Sequence, residues 1–281
     1  MPDSRSGTEP DPRSGTEPDS RSGTQPAITV ERGRIATVLI NRPEKRNALR
    51  ARDAVELAGV IAEVDRDPDV RCVLLGGVGG WLCAGGDLSD DAAVTPDDAA
   101  LQIAQYQNAM RAVLAADVPV VVVLEGAAVG AGAAFALAAD VCVAAPDSRI
   151  TVPWITRGLV PDTGVAFFLA RQIGAARAKA CLLAGGAINA AQAVEWGLVA
   201  GVHDDVWVAA YEWAERLAAG PPVATMLTKR LLNHALFAGL DAHLEREQAA
   251  MVDVFASRES AEGFAAFIEK RAPNFDGGSG S

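Results

Sequence analysis

The stretch PVVVVLEGAAVGAGAAFALAAD, Pro119 to Asp140, decides how this chain folds. From Val118 to Ala139 its one charge is Glu125. A nearly uncharged run of this length is long enough to span a bilayer. Pro119 and the glycines at 126, 130 and 132 argue against that, and the run divides into a β-branched half, Val118–Leu124, and a small-residue half after Gly130. The division predicts a buried strand followed by a buried helix that starts at Ala131. Working outward, Val70–Leu75 and Val141–Ala145 are apolar, β-rich runs short enough for further buried strands. Ile28–Glu31 and Arg34–Asn41 flank Arg32-Gly33 as a β-hairpin. Ala48–Val64 carries Leu57, Val60, Ile61 and Val64 at helical spacing. Helices are predicted at Thr163–Ile173, Ala175–Leu183, Asp205–Ala218, Val223–Phe237, Leu240–Phe255 and Ser260–Glu269, and a loop over 89–105. Strands alternate with helices early and helices dominate late, the pattern of an α/β core with a helical C-terminal part.

The chain has 281 residues, half of them hydrophobic, enough for one large core plus an appendage. Residues 2–25 are three copies of an octapeptide, PDSRSGTE, PDPRSGTE and PDSRSGTQ. The repeat has no large apolar residue to bury, so 1–26 is expected to be a disordered tail, and the Gly/Ser-rich 277–281 a flexible one. The folded part divides into a core, 27–203, and a helical region, 204–276. A net charge of −11 without a Lys/Arg block makes a nucleic-acid partner unexpected. It leaves room for an anionic ligand held by a few local cations and N–H groups. Cys72, Cys83, Cys142 and Cys181 form no C-x-x-C pair and read as reduced thiols of a core. The three histidines, His203, His234 and His243, form no cluster with them, so no metal site is expected. The polar N-terminus shows no apolar signal core, and a cytoplasmic location is expected.

Two Gly-rich segments follow strands: Gly76–Leu88, GGVGGWLCAGGDL, and Gly126–Ala134, GAAVGAGAA. Glycine lets main chain approach a ligand closely and adopt positive φ. A helix starting at Ala131 turns unpaired N–H groups outward, which suits an oxyanion. Tight turns and close helix packing would use the same glycines. Dinucleotide binding is disfavoured, because Phe135 stands where G-x-G-x-x-G needs its third glycine, and no phosphate-loop motif is present.

Four ordered motifs carry a resemblance. They are Asn41–Leu49 (NRPEKRNAL), Leu82–Leu88 (LCAGGDL), Pro119–Asp140, and Ala193–Val199 (AVEWGLV). Together they resemble the enoyl-CoA hydratase/isomerase, or crotonase, family over nearly all of Ala27–Phe275. The resemblance implies a spiral of ββα turns with a C-terminal helical region, assembled as a homotrimer or hexamer. It implies an acyl-CoA thioester as substrate and no cofactor, coenzyme A being part of the substrate. The oxyanion donors carry over to the backbone N–H groups of Gly86 and Ala131. Ala84 is placed beside the adenine and pantetheine, and Arg46 and Lys270 near the CoA phosphates. Asp87, Leu88 and Gly130 adjoin the donors and join the substrate-binding set.

Hydratases of this family use two glutamates, one to orient and deprotonate water and one to supply the α-proton. This chain resembles them with Ala134 and Trp154 in those places. What remains is Asp162, in RGLVPDTG, Arg157–Gly164, which resembles the corresponding segment of epoxyphenylacetyl-CoA isomerases. One carboxylate suffices to move a proton along an acyl chain, and partial burial in an apolar pocket would make it a better base. Isomerase chemistry with Asp162 as acid/base is therefore the expectation, with Trp154 as a pocket wall alongside Tyr106 and Phe167. Asp162 is equally placed to cap the helix expected from Thr163. A hydratase using Asp90 or Asp91, and a catalytically silent acyl-CoA binder, are the other readings. A 4-chlorobenzoyl-CoA dehalogenase-like enzyme would need a histidine where Gln107 stands.

Overall fold

The computed structural model describes residues 25–87 and 96–276. The octapeptide tail to residue 24, Leu88, Asp90, Asp91 and 277–281 lie outside them. The strand-then-helix reading of the opening stretch holds, with one refinement. Val120–Leu124 (β4) ends at Glu125-Gly126, and Ala127–Val129 (β5) starts a second sheet before helix α3, Ala131–Ala138. Gly126 makes the corner. Its φ is +55°, and a Cβ there would lie 2.4 Å from the Gly80 carbonyl.

The large sheet has six strands in the order β1 (Ile28–Glu31), β2 (Ile35–Ile40), β3 (Cys72–Gly77), β4, β6 (Val141–Ala144) and β9 (Gly201–Val202). β1 and β2 form the expected antiparallel hairpin, Ile28 opposite Ile40, and the other pairs are parallel. Both faces of the central strands are covered, which explains their unbroken apolar runs. Val73, Leu75, Val120, Val122 and Leu124 face the main core. Cys72, Leu74, Val121, Val123 and Val143 meet α7 (Val206–Ala218), whose Val206, Ala210, Ala214 and Ala218 recur at helical spacing. Each such fully buried Val or Leu contributes about 1.5–3 kcal/mol. Gly76 makes room for α7, since a Cβ on it would lie 2.6 Å from the Trp207 ring.

The small sheet joins β5, β7 (Arg149–Val152) and β8 (Gly186–Asn189). Single bridges extend its ladder from Cys83 to Ala128 and from Leu49 to Gly86. Repeatedly, a strand of the large sheet turns into a short pass in the small ladder, through glycine-containing corners after β3 and β4. This is the spiral of ββα turns, and the chain is α/β as the sequence implied.

Helices α1 (Ala51–Asp65), α4 (Val165–Gln172), α5 (Gly174–Ala184), α8 (Pro222–Phe237) and α10 (Arg258–Glu269) occupy expected positions with shifted ends, and α9 (Leu240–Phe255) has the expected ends. α6, Ala190–Glu195, precedes the Gly197 turn. One expectation is corrected: 89–105 is not all loop, because Pro96–Ala115 is a helix, α2. Ala99, Ile103, Tyr106, Met110 and Val113 are buried along it at alternating steps of four and three. No described helix is long and apolar enough to cross a membrane.

Candidate active site

The two Gly-rich turns lie against each other. Cys83 N–H donates to the Ala127 carbonyl at 3.2 Å, and Val129 N–H to the Cys83 carbonyl at 2.9 Å. Gly85 has φ +93°, and a Cβ on it would sit 2.9 Å from the Val129 carbonyl oxygen and 3.9 Å from the Ala131 nitrogen. Gly132 is as tight, with Cys83 oxygen 2.5 Å from a notional Cβ. Side chains at these points would wedge the turns apart.

The hydrogen bonds of the first turn leave one donor over. Ala84 N–H goes to Arg46 O, Asp87 N–H to Leu49 O, and Leu49 N–H comes to Gly85 O. On the second turn Gly130 N–H goes to Thr151 O. Among the described residues no acceptor takes the N–H of Gly86 or of Ala131. Both residues line one cleft, with Ala84, Gly130, Trp154 and Asp162. Ala131 opens α3, so its N–H is one of the unpaired donors at a helix N-terminus. The cleft encloses about 700 Å³, counted out to its open mouth.

Asp162 is half-buried on the cleft wall, and its Oδ1 accepts the Trp154 indole N–H at 3.2 Å. It does not cap a helix. α4 begins at Val165, not Thr163, behind Gly164 at φ +81°. The N–H of Gly164 donates instead to Glu247 Oε2 at 2.7 Å, across from α9. The capping expectation is thereby corrected, since a distant carboxylate occupies that place. Burial pushes the Glu247 carboxyl up to about 8, with the Asp162 charge adding to the rise and the Gly164 N–H opposing it. Its other oxygen is 3.0 Å from His243 Nε2. Burial, then Arg171 and Arg246, hold His243 below the usual imidazole range. Together these favour a protonated Glu247 donating to a neutral His243.

Other expected residues are more scattered. Ala134 is fully buried in α3 and does not line the cleft. Asp87 lies outside the cleft lining, buried 2.9 Å from Arg42 Nη2. Arg46 is exposed, with its guanidinium 4.9 Å from the Trp81 ring centre. Lys270 is exposed just past α10. Tyr106 lines the cleft and donates to the Leu49 carbonyl at 2.8 Å. Phe167 does not line it, and packs on Phe168 and His243. Cys72, Cys83 and Cys142 are buried, unpaired thiols pushed up to about 12 by burial. Among the described residues no group of His, Cys, Asp and Glu is arranged to hold a metal ion.

Sequence reasoning assigned no positive role to three residues that the structure brings to the site. Gln107 donates from Nε2 to the Asp162 carbonyl at 2.8 Å. Arg157 lines the cleft. Glu247 was detectable as the acid within the stripe Leu240, Leu244, Met251 at helical spacing.

Comparison with known proteins agrees with this geometry. The family model described as "Enoyl-CoA hydratase/isomerase" matches residues 31–278. A 1,2-epoxyphenylacetyl-CoA isomerase of Escherichia coli is 35% identical over 254 residues, covering 88% of this chain and 97% of that one. A probable enoyl-CoA hydratase of Rhodobacter capsulatus is 34% identical over 246 residues, 86% of this chain and 95% of that one. Among solved structures, an enoyl-CoA hydratase from Mycobacterium avium subsp. paratuberculosis superposes with a TM-score of 0.81 at 31% identity, covering 89% and 98%. A carnitinyl-CoA hydratase from Mycobacterium avium gives 0.80 at 29% identity, covering 90% and 99%. With the spiral fold, the paired Gly-rich turns and near full-length similarity in agreement, this chain belongs to the enoyl-CoA hydratase/isomerase family of acyl-CoA-processing enzymes.

Proposed function

We propose that this enzyme is an enoyl-CoA isomerase in which Asp162 moves the proton and the N–H groups of Gly86 and Ala131 hold the thioester oxygen. One observation carries the reading: among the described residues a single carboxylate, Asp162, lines the same cleft as the two N–H groups for which those residues offer no acceptor. Asp162 removes a proton from C2 of a 3-enoyl thioester. Charge passes to the thioester oxygen, where the two donors stabilise the dienolate. The carboxylic acid then returns the proton at C4, leaving the double bond between C2 and C3. Trp154 supports this by holding one carboxylate oxygen at 3.2 Å. The Gln107 amide has no basic nitrogen and is engaged on the Asp162 carbonyl, which argues against dehalogenase-type turnover.

The exposed apolar side chains of α8, Val223, Leu227, Leu231, Leu232 and Leu236, support assembly with further copies, as a trimer or hexamer. Arg46 and Lys270, exposed and outside the cleft lining, keep the role of contacts to CoA phosphates at its approach.

Asp162→Asn tests the chemistry, because it keeps the shape and removes the base. Double-bond migration in a 3-enoyl-CoA is expected to fall by about 10²–10⁴-fold with acyl-CoA binding retained. Wild-type turnover in the variant, or crotonyl-CoA hydration outpacing isomerisation in the parent, would defeat the reading.

A further inference from the structure

The cleft contains a cation that the proposed reaction does not use. Arg157 lies on the turn Ile155–Arg157, between the wall that carries Trp154 and the segment that carries Asp162. Its main chain is clamped against α10. A Cβ on Gly263 would fall 1.9 Å from the Arg157 carbonyl oxygen, and one on Gly158 would fall 2.4 Å from the Glu259 oxygen. The turn therefore packs directly on the main chain of the helix, and the guanidinium lies 4.4 Å from the centre of the Phe267 ring. Ile103, Tyr106, Met251, Phe255 and Phe264 supply apolar and aromatic lining to the same cleft.

No carboxylate of the described residues forms an ion pair with this guanidinium. Burial lowers its proton affinity. Asp162, the acid nearest in sequence on this wall, receives the Trp154 indole instead. A half-buried guanidinium has lost part of its hydration and gains from any anion that enters the cleft. Its planar fork matches a carboxylate with two parallel hydrogen bonds.

We infer that Arg157 selects acyl-CoA substrates whose acyl chain carries a carboxylate beyond the reacting carbons, so that the substrate class is a dicarboxylic acid monothioester. This inference rests on the reading of the cleft as an acyl-thioester site. Residues 84–86 and 130–131 take the thioester end, Asp162 the carbons next to it, and Arg157 the far end of the chain. The apolar lining between them suits methylenes and excludes water from the ion pair.

Binding of unreactive CoA thioethers tests this without depending on turnover. The probes are S-alkyl-CoA chains of matched length, in a series from short to medium, ending in either methyl or carboxylate. Calorimetry on the full-length enzyme is expected to show the carboxylate form binding at least about tenfold tighter at the best length. In Arg157→Met the ratio between the two forms should fall to near one, and Arg157→Lys should keep part of it. Equal binding of both probes by the wild type overturns the inference even if the variants do not fold. So does a preference that survives Arg157→Met. A variant that weakens both probes and free CoA by one common factor would mean that Arg157 contacts a CoA phosphate, which also overturns it. A wild type that binds neither probe nor free CoA would instead remove the acyl-CoA reading itself.

Discussion

The Gly-rich wall of the cleft, Ala84–Gly86 with Val129–Ala131, is made largely of main chain. The wall from Trp154 to Thr163 is made largely of side chains. In the first, the proposed functional atoms are N–H groups, and the residues matter mainly for what they lack: Gly85 and Gly132 have no Cβ where one would meet the opposite turn at 2.9 and 2.5 Å. In the second, the proposed functional atoms belong to Trp154, Arg157 and Asp162, and partners from remote helices hold the main chain of the segment, Gln107 from α2 at Asp162 and Glu247 from α9 at Gly164. A main-chain wall tolerates change in most side chains while keeping one geometry. A side-chain wall can change its chemistry one residue at a time. This contrast offers a physical account of relatives named as hydratases and as isomerases sharing one scaffold.

The sharpest way to break the contrast is Gly85→Ala. A single methyl on the main-chain wall should matter more than most replacements on the other. At φ +93° and 2.9 Å from the Val129 oxygen, it should displace the Gly86 N–H. Turnover is expected to drop by about 10²–10³-fold, with a stability loss of about 1–3 kcal/mol, read by steady-state kinetics and thermal melts. Unchanged kinetics would show that the N–H of Gly86 is not used.

Glu247 probes the side-chain wall through pH. Its folded pKa, about 8, lies above the ordinary 4.5. The native state then holds a proton that the unfolded chain releases, so stability is greatest below the lower value. It declines as pH rises between the two and levels off above about 8. Glu247→Gln still accepts from Gly164 and donates to His243, and should flatten that decline. The measurement is Tm against pH for both proteins. Each pH unit within the window is worth about 1.4 kcal/mol at most. Equal slopes would show that Glu247 is not the titrating group.

A smaller effect is expected from Trp154→Phe, which keeps an aromatic wall and deletes one hydrogen bond to Asp162. Turnover should fall by about tenfold, the worth of one hydrogen bond to a charged group, with KM little changed. A collapse comparable to Asp162→Asn would mean that the indole N–H does more than orient the carboxylate. Deleting residues 1–24 should have the least effect. The described chain is tied from Gln25 onward, where Asn41 Nδ2 donates to the Gln25 side chain and the Pro26 carbonyl at 3.3 Å. Tm and turnover are expected to be unchanged within error, and a large shift in either would show that the octapeptides take part in the fold or the site.

The two walls also differ in how far they could be read from sequence. Val120–Leu124 and Gly126–Ala134 announce themselves because a buried strand, a glycine corner and an all-apolar helix each leave a local signature. The same holds for Asp162, whose neighbourhood Gly158-Leu159-Val160-Pro161 fits a known pattern. α2 was legible in principle from the spacing of Ala99, Ile103, Tyr106 and Met110, but its polar first turn, Pro96-Asp97-Asp98, resembles a loop.

By itself the sequence determined the α/β class, the strand-corner-helix block and the two glycine-rich turns, and it singled out Asp162 as the favoured candidate base. Each of these is a short-range matter of burial period or main-chain freedom. Only the tertiary structure decided that Asp162 faces the cleft rather than capping a helix, that Glu247 fills the capping place, that Asp87 is committed to Arg42, and that Arg157 pairs with no acid among the described residues. Those outcomes are pairings between residues as far apart as Gly164 and Glu247. Which charge finds which partner depends on how whole helices pack, and that information is not present in any local stretch of the chain.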